Sequence, residues 1–483
     1  MKRYFVRVGL LLSLLAVPIY YNAQAKPGTL NWYNGEGLGM KTDKAYKLLK
    51  GRTPQTVVVA VIDSGMDIEH EDLQGKIWVN TKEIPKNGKD DDGNGYVDDV
   101  HGWNFLGNSK GENLEHARLE KTRILAQLID KYEGIDPYTF ALDDEYSLYE
   151  SVRNDVEGEL ANFEQYMGMI KDGAFDKETA NYIISKVKYH LNVNFDDRAL
   201  ISDDPDDFND KNYGNGDVEG PDALHGTHVG GIIGAIRGNG KGGDGVADKV
   251  LLMSVRAVPD GDEFDKDVAL AVRYAVDNGA QVINMSFGKA YSPHQKEVYE
   301  AFAYADSKGV LLVHAAGNDA KDVDYEPNFP TSLYDFQDEP LGHFVTVGAS
   351  TRTRPNPKKS KKGGEVEFYM EGEGAAPEGL IASFSNYGQT RVDVFAPGNE
   401  IYNSVPQSDY KDLQGTSMAA PMVAGVAAML KSYFPSLTML EIKEIIFSTA
   451  TKYPELADKC TTGGVVDVSA AVKACLAKEK AKK

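Results

Sequence analysis

Apolar residues run along the chain in short continuous blocks, separated by segments in which they return every three or four positions. The blocks are TVVVAVID (56–63), KVLLMSVRAV (249–258), QVINMS (281–286), GVLLVHAA (309–316), FVTVGAS (344–350) and VDVFAP (392–397). Their length and β-branched content predict strands. Helix-period segments lie between several of them, at 226–236, 265–278 and 293–308, and two more, 417–433 and 437–450, follow the last. Strands apolar on both sides and alternating with helices predict an α/β fold, a mostly parallel doubly wound sheet with helices on both faces. In such a sheet ligands gather at the carboxyl ends of the strands.

Composition sets the scale. The chain has 483 residues, 42% of them hydrophobic, enough for a buried core in one large domain or two ordinary ones. Residues 1–25 stand apart from the fold: MKRYFVR is basic, VGLLLSLLAVPIYY is apolar but short for a membrane span, and AQA at 23–25 has the small residues of a cleavage site. They predict a cleaved signal peptide and a secreted or periplasmic protein. No later stretch reaches the roughly 18 consecutive apolar residues of a transmembrane anchor. Loss of Lys2, Arg3 and Arg7 with that peptide takes the formal charge from −21 to −24. So acidic a chain argues against nucleic acid as a partner, and it suits calcium-rich surroundings. The two cysteines, Cys460 and Cys475, are expected to pair in an oxidising compartment and staple the C-terminal segment.

Three polar residues stand where predicted elements begin or end. Asp63 closes the first strand, His225 opens a helix in HGTHVGG (225–231), and Ser417 opens another in LQGTSMAAPMVAG (413–425). Taken singly, each has a plain reading: a turn aspartate, a helix-start histidine, a serine N-cap. His225 and His228 lack the i, i+4 spacing and intervening glutamate of a helical zinc site, so metal binding there is not expected. In chain order the three are Asp-His-Ser, one of the orders of a hydrolytic triad and that of subtilisin. Around them stand VIDSGMD (61–67), INMSFG (283–288), AAGND (315–319), FSNYG (384–388), VFAPG (394–398) and GTSMAAPMVAGVAAML (415–430). With HGTHVGG these words, in this order over residues 55–475, resemble the subtilisin-like serine peptidases, the subtilases.

The resemblance implies a subtilisin-like fold and a serine endopeptidase acting on protein or peptide substrates through an acyl-enzyme. Ser417 would be the nucleophile, His225 its base and Asp63 the group that orients the imidazole. Asn318 would donate to the oxyanion. Ser286, Phe287 and Gly288 would pair with the substrate main chain by adding it as a strand. Asn328 falls near the floor of the specificity pocket, and His228 is expected to be structural.

KDDDGNGYVDD (89–99) is a second chemical signal. Asp90, Asp92 and Asn94 occupy positions 1, 3 and 5 of a calcium loop, Gly95 position 6, the Tyr96 carbonyl position 7 and Asp98 position 9. Position 12 is His101 rather than a bidentate glutamate, with Asp99 a substitute. The loop predicts a structural Ca2+. The resemblance adds a weaker second site at Asp72 and RGNGKGGDG (237–245).

Asp63 and His225 lie 162 residues apart, and residues 106–224 carry 27 acidic and 12 basic side chains, so −15 of the −24 falls there. Helix periodicity at 112–132, 146–170 and 176–192 predicts a helical insertion. The expected organisation is a signal peptide (1–25), an N-terminal extension (26–56) packed on the catalytic domain through a helix at 44–51, a peptidase domain (57–105 and 225–475), the insertion (106–224) and a basic tail (476–483). RTRPNPKKSKK (352–362) and the strand-like EVEFYM form a further insertion. An extension of 31 residues is short of the roughly 40 that fold alone, so a separate pro-domain is not expected. The helical insertion is either a surface elaboration or a restriction on access, which would give a selective or exo-acting peptidase on short peptides. A binding protein without catalysis is a third reading.

Overall fold

The computed structural model describes residues 30–135, 143–171, 173–211, 213–352 and 380–482. The signal-peptide region and the 353–379 stretch, with most of the basic loop and all of EVEFYM, lie outside the described residues. In chain order the elements are α1 (Thr42–Leu49), β1 (Val57–Asp63), β2 (Gly102–Asn104), α2 (Glu120–Tyr132), α3 (Asp144–Lys171), α4 (Lys177–Ser185), α5 (Leu224–Gly234), β3 (Val250–Arg256), α6 (Asp265–Asp277), β4 (Val282–Met285), α7 (Gln295–Ser307), β5 (Leu311–Ala315), β6 (Phe344–Ser350), β7 (Val394–Pro397), β8 (Ile401–Val405), β9 (Asp409–Leu413), α8 (Thr416–Tyr433), α9 (Met439–Thr449), β10 (Thr451–Lys452), β11 (Gly464–Val465) and α10 (Val468–Lys482). Nine strands form one sheet in the order β10-β11-β7-β6-β5-β4-β1-β3-β2. Every pair in it is parallel except β10 with β11, and β8–β9 is a separate antiparallel hairpin.

The continuous apolar blocks have their cause in this layering. Along β1, Val57, Val59 and Val61 enter a core with α1, α5, α8, α9 and α10, while Ala60 and Ile62 enter one with α6 and α7. Successive side chains of a strand point to opposite faces, so a strand covered on both must be apolar throughout. β1 lies between β3 and β4, where the strand order reverses. Asp63, its last residue, therefore emerges at the crevice where such sheets place their ligands.

All six predicted strands and all six predicted helices outside residues 106–224, the one at 44–51 included, are present within a few residues of their expected bounds. The short β2, β10 and β11 and the polar β8–β9 hairpin carry no apolar block to announce them. Within 106–224 the predicted helix at 112–132 begins only at Glu120. Residues 115–118 are extended, because Asp260 N–H donates to the Glu115 carbonyl (2.8 Å) and Ala117 N–H to the Asp260 carbonyl (2.8 Å). Helices α2, α3 and α4 share their own apolar cluster, centred on Tyr149, Val152 and Phe163. A buried charge network fastens this region to α6: Arg198 pairs with Asp267 (2.8 Å) and Asp203 (2.6 Å), and Lys266 reaches Asp203 (2.9 Å).

The expected disulfide is absent. Both cysteines are buried thiols. Cys460 packs with Val392, Phe395 and Leu456, whereas α10 carries Cys475 into the main core beside Val472. The two belong to different packing clusters, and burial pushes both thiols up in pKa.

Candidate active site

The two ends of β1 and α5 meet. Asp63 is 2% exposed, and its Oδ1 accepts from the Ser64 N–H (2.8 Å) and from His225 Nδ1 (2.7 Å). His225 is the second residue of α5. A Cβ on Gly226 would fall 2.1 Å from the Gly65 carbonyl, so glycine there is what lets the helix sit against the Asp63 turn. Burial opposes a charged imidazole, but the charge and hydrogen bond of Asp63, with Asp222 beyond, outweigh it and raise the His225 pKa. The pairing leaves Nε2 as the proton acceptor. His228 is wholly buried, donates from Nε2 to the Ile401 (2.9 Å) and Lys411 (3.1 Å) carbonyls, and is held neutral by burial, its pKa pushed down to about 3. It ties α5 to the β8–β9 hairpin.

Ser417 is the second residue of α8, behind Gly415 at φ 148°, a conformation open to glycine. Its Oγ donates to the Ser286 carbonyl (3.0 Å), and Ser286 Oγ donates back to the Ser417 carbonyl (2.9 Å). No hydrogen bond joins Ser417 Oγ to His225 among the described residues. Catalytic hydrogen bonds of this kind are often unformed without substrate, and one χ1 rotation redirects a serine hydroxyl. Ser286 is the link between the two, since it lines the same cleft as Asp63 and His225.

Asn318 is oriented by Thr416. Its Oδ1 accepts from the Thr416 N–H (2.8 Å) and hydroxyl (3.0 Å), and Thr416 Oγ1 accepts from the Gly317 N–H (3.1 Å). With the oxygen committed, Nδ2 is the free end of the amide. The space that a Cβ at Gly415 would fill lies 3.5 Å from both Asn318 Nδ2 and Ser417 N, so glycine keeps two converging donors uncovered. Thr416 was not singled out from the sequence; the GTS word carries it, but only the hydrogen bonds show what it does.

The cleft is about 300 Å³ and is lined by Ser286, Phe287 and Gly288 together with Val258 through Glu263. The Phe287 carbonyl accepts from His314 Nε2 (2.8 Å), and burial lowers the His314 pKa to about 4. Asn328 lines a separate small hollow with His314, Thr331 and Arg391. Its side chain lies directly behind Gly288, where a Cβ would meet Asn328 Nδ2 at 2.6 Å.

Of the five predicted calcium ligands, the structure gathers Asp90 and Asp92 and adds Glu83, their oxygens all within 4.8 Å of one another. Glu83 is 6% exposed; Oε1 accepts from the Asp91 (2.9 Å) and Asp92 (3.1 Å) N–H groups, and Oε2 is buried without a partner. Asp98 turns away, its carboxylate accepting from the Asn87 (3.1 Å) and Gly88 (2.8 Å) N–H groups. Asn94 Oδ1 accepts from Tyr96 N–H (2.8 Å), and the Tyr96 ring packs on Trp103 and Tyr274. Asp99, held by Asn80, Asn94 and Tyr274, is raised by burial to about 6. Glu83 lies outside the loop motif, so its contribution had no local signal. At the second expected site Asp72 Oδ1 accepts from Asn239 (2.6 Å), and its buried Oδ2 has no partner.

Among the described residues no helix is long and apolar enough to cross a membrane. The thermophilic serine proteinase of Bacillus sp. (strain AK1) is 36% identical over 247 residues, covering 51% of this chain and 50% of that protein. Subtilisin-like protease 1 of Plasmodium vivax is 25% identical over 436 residues, 89% of this chain and 49% of that one. The chain thus spans about half the length of either relative. A chain of the solved subtilase cytotoxin SubAB assembly superposes with a TM-score of 0.51 at 19% identity, covering 93% of this chain and 98% of that one, which speaks for the fold. Residues 55–463 match the family model of the subtilases, and with that extent of agreement the chain belongs to the subtilase family.

Proposed function

We propose that the protein is an exported serine endopeptidase. His225 Nε2 takes the proton of Ser417 Oγ as Oγ bonds to the scissile carbonyl carbon, and the oxyanion accepts from Asn318 Nδ2 and the Ser417 N–H. The C–N bond then breaks and the departing amine takes the proton from His225. Water, deprotonated by the same imidazole, attacks the ester and releases Ser417. Asp63 holds Nδ1–H and stabilises the imidazolium. The observation that carries this reading is the 2.7 Å Asp63–His225 hydrogen bond at a cleft also lined by Ser286, whose carbonyl holds the Ser417 hydroxyl. A fluorophosphonate probe is expected to label Ser417 in the native protein and not in the urea-unfolded one; mass-spectrometric mapping of the adduct elsewhere, or no adduct, would refute it.

A second, access-limited reading has one specific support: Glu115, Pro221 and Asp222, from the 106–224 segment, line the cleft. Digestion of casein with internal cuts separates the two, since an exo-acting enzyme releases only terminal fragments.

Calcium fits the residues at Glu83, Asp90 and Asp92, whose hard oxygens and one unpartnered buried carboxylate oxygen are the donors such an ion takes. Bound there, it would neutralise three carboxylates and rigidify the loop. Calcium at a hundredfold its Kd stabilises by about 2.7 kcal/mol. Chelation is therefore expected to lower the melting temperature by a few degrees in the native protein. The Glu83→Gln variant should melt at the same temperature with or without chelator.

A further inference from the structure

The cleft is crowded with carboxylates. Asp63, Glu115, Asp222, Asp260, Asp262 and Glu263 all line it, against a single permanent cation, Arg256. Arg256 is itself turned inward, donating to the Ser64 carbonyl (2.8 Å), Asn104 Oδ1 (3.0 Å) and the Leu114 carbonyl (2.5 Å). Five of the six acids have a partner: Asp222 Oδ1 accepts from the Leu224 N–H (3.0 Å), and Glu115 Oε1 lies 3.7 Å from His116 Nε2. Asp63 holds His225, Asp260 sits between His116 (2.8 Å) and His190 (3.1 Å), and Asp262 Oδ2 accepts from the Glu120 N–H (2.7 Å).

Glu263 is different. It is 2% exposed, yet its Oε1 has no hydrogen-bond partner. The nearby cations are committed elsewhere: Lys289 Nζ to Glu120 (2.6 Å), Asp265 (2.8 Å) and the Glu263 carbonyl (2.8 Å), and Arg123 to Glu120 (2.6 Å) and the carbonyls of Asp262 (3.0 Å) and Glu263 (3.1 Å). Four carboxylates (Glu120, Asp262, Glu263, Asp265) thus share two cations, Arg123 and Lys289. Burial, reinforced by Asp262 and Asp265 and opposed by Lys289, pushes the Glu263 carboxyl upward. A buried carboxylate with an open lone pair is costly until it takes a proton or a cation reaches it. Metal is not the natural occupant, because the carboxylate oxygens that converge closely enough for one, among the described residues, are those of Glu83, Asp90 and Asp92. The remaining source is the molecule that enters the cleft.

We propose that Glu263 is a specificity-determining residue that receives an arginine or lysine side chain of the substrate, within a few residues of the bond to be cut, with Glu115 and Asp222 guiding it in. The assignment rests on the peptidase reading above. A polypeptide laid along Ser286–Gly288 lies in the cleft that Glu263 also lines, and a guanidinium or ammonium of its side chains there supplies the missing donor in a charge-assisted hydrogen bond.

The test is a peptide library in which each of four positions on either side of the cut carries Arg, Lys, Gln or Met in turn. At one position at least, kcat/KM for Arg or Lys is expected to exceed that for Gln and Met by about tenfold or more. In the Glu263→Gln variant that ratio is expected to fall to near one, while Glu263→Asp, which keeps the charge, retains part of it. A wild-type profile with no basic preference, or a preference that survives in Glu263→Gln, overturns the proposal while leaving the peptidase intact. Failure of the wild type to cut any member or to take the fluorophosphonate overturns the peptidase reading and this one with it. The wild-type ratio needs no variant, so a misfolded Glu263→Gln does not shield the claim.

Discussion

Replacing Ser417 by alanine is expected to lower kcat by about 10⁶-fold, a scale taken from the corresponding change in subtilisin itself. In the proposed mechanism this hydroxyl is the group that forms the covalent bond. Ser286 Oγ is committed to the Ser417 carbonyl (2.9 Å). Residual turnover, about 10³–10⁴ above the water reaction, would come from the two oxyanion donors and from substrate binding. KM should change little, because the Ser417 side chain makes one hydrogen bond, to the Ser286 carbonyl, and that carbonyl stays in place. Folding should lose no more than about 1 kcal/mol. Adding His225→Ala to the variant should cost almost nothing more, since a base without a nucleophile has no proton to take. Active-site-normalised kinetics on a chromogenic peptide read all three; a single alanine variant retaining a hundredth of the activity would remove Ser417 from the mechanism.

Replacing Asp63 by asparagine is expected to lower kcat by about 10⁴-fold with the fold intact. The amide is isosteric, but it can turn its NH2 toward His225 Nδ1, which then stabilises the tautomer with the proton on Nε2, the atom that must be bare. The pH profile supplies an independent reading. In the proposed mechanism His225 acts as a base only when neutral, so activity is expected above its pKa and lost as pH falls through it. Asp63 raises that pKa against the opposing effect of burial. Its removal should therefore move the acid limb of kcat/KM to lower pH, in the direction opposite to a loss caused by general destabilisation in acid. An unmoved limb would mean that the 2.7 Å contact does not govern the imidazole.

The sheet was legible because its strands are buried on both faces. Val57 to Ile62 has no polar interruption, and such a block separated from the next by a helix-period segment leaves few arrangements open. The polar β8–β9 hairpin and the three-residue β2 were not legible, since neither carries enough apolar length. Residues 112–119 read as helix by period, yet pairing with Asp260 draws 115–118 out straight. Here a long-range backbone bond outweighed a local preference.

By itself the sequence determined the chemistry available and roughly where each piece stands on its element: a carboxylate at a strand end, an imidazole and a hydroxyl in first helical turns, acids spaced for a cation. Only the tertiary structure decided which of these meet. It set Asp63 against His225 across 162 residues, turned Asn318 through Thr416, brought Glu83 to Asp90 and Asp92 while sending Asp98 elsewhere, separated Cys460 from Cys475, and left Glu263 buried with an open oxygen. The reason is physical. Local order follows from spacing and propensity within a few turns of chain, whereas a pairing of side chains depends on packing between elements that have no neighbourhood in sequence.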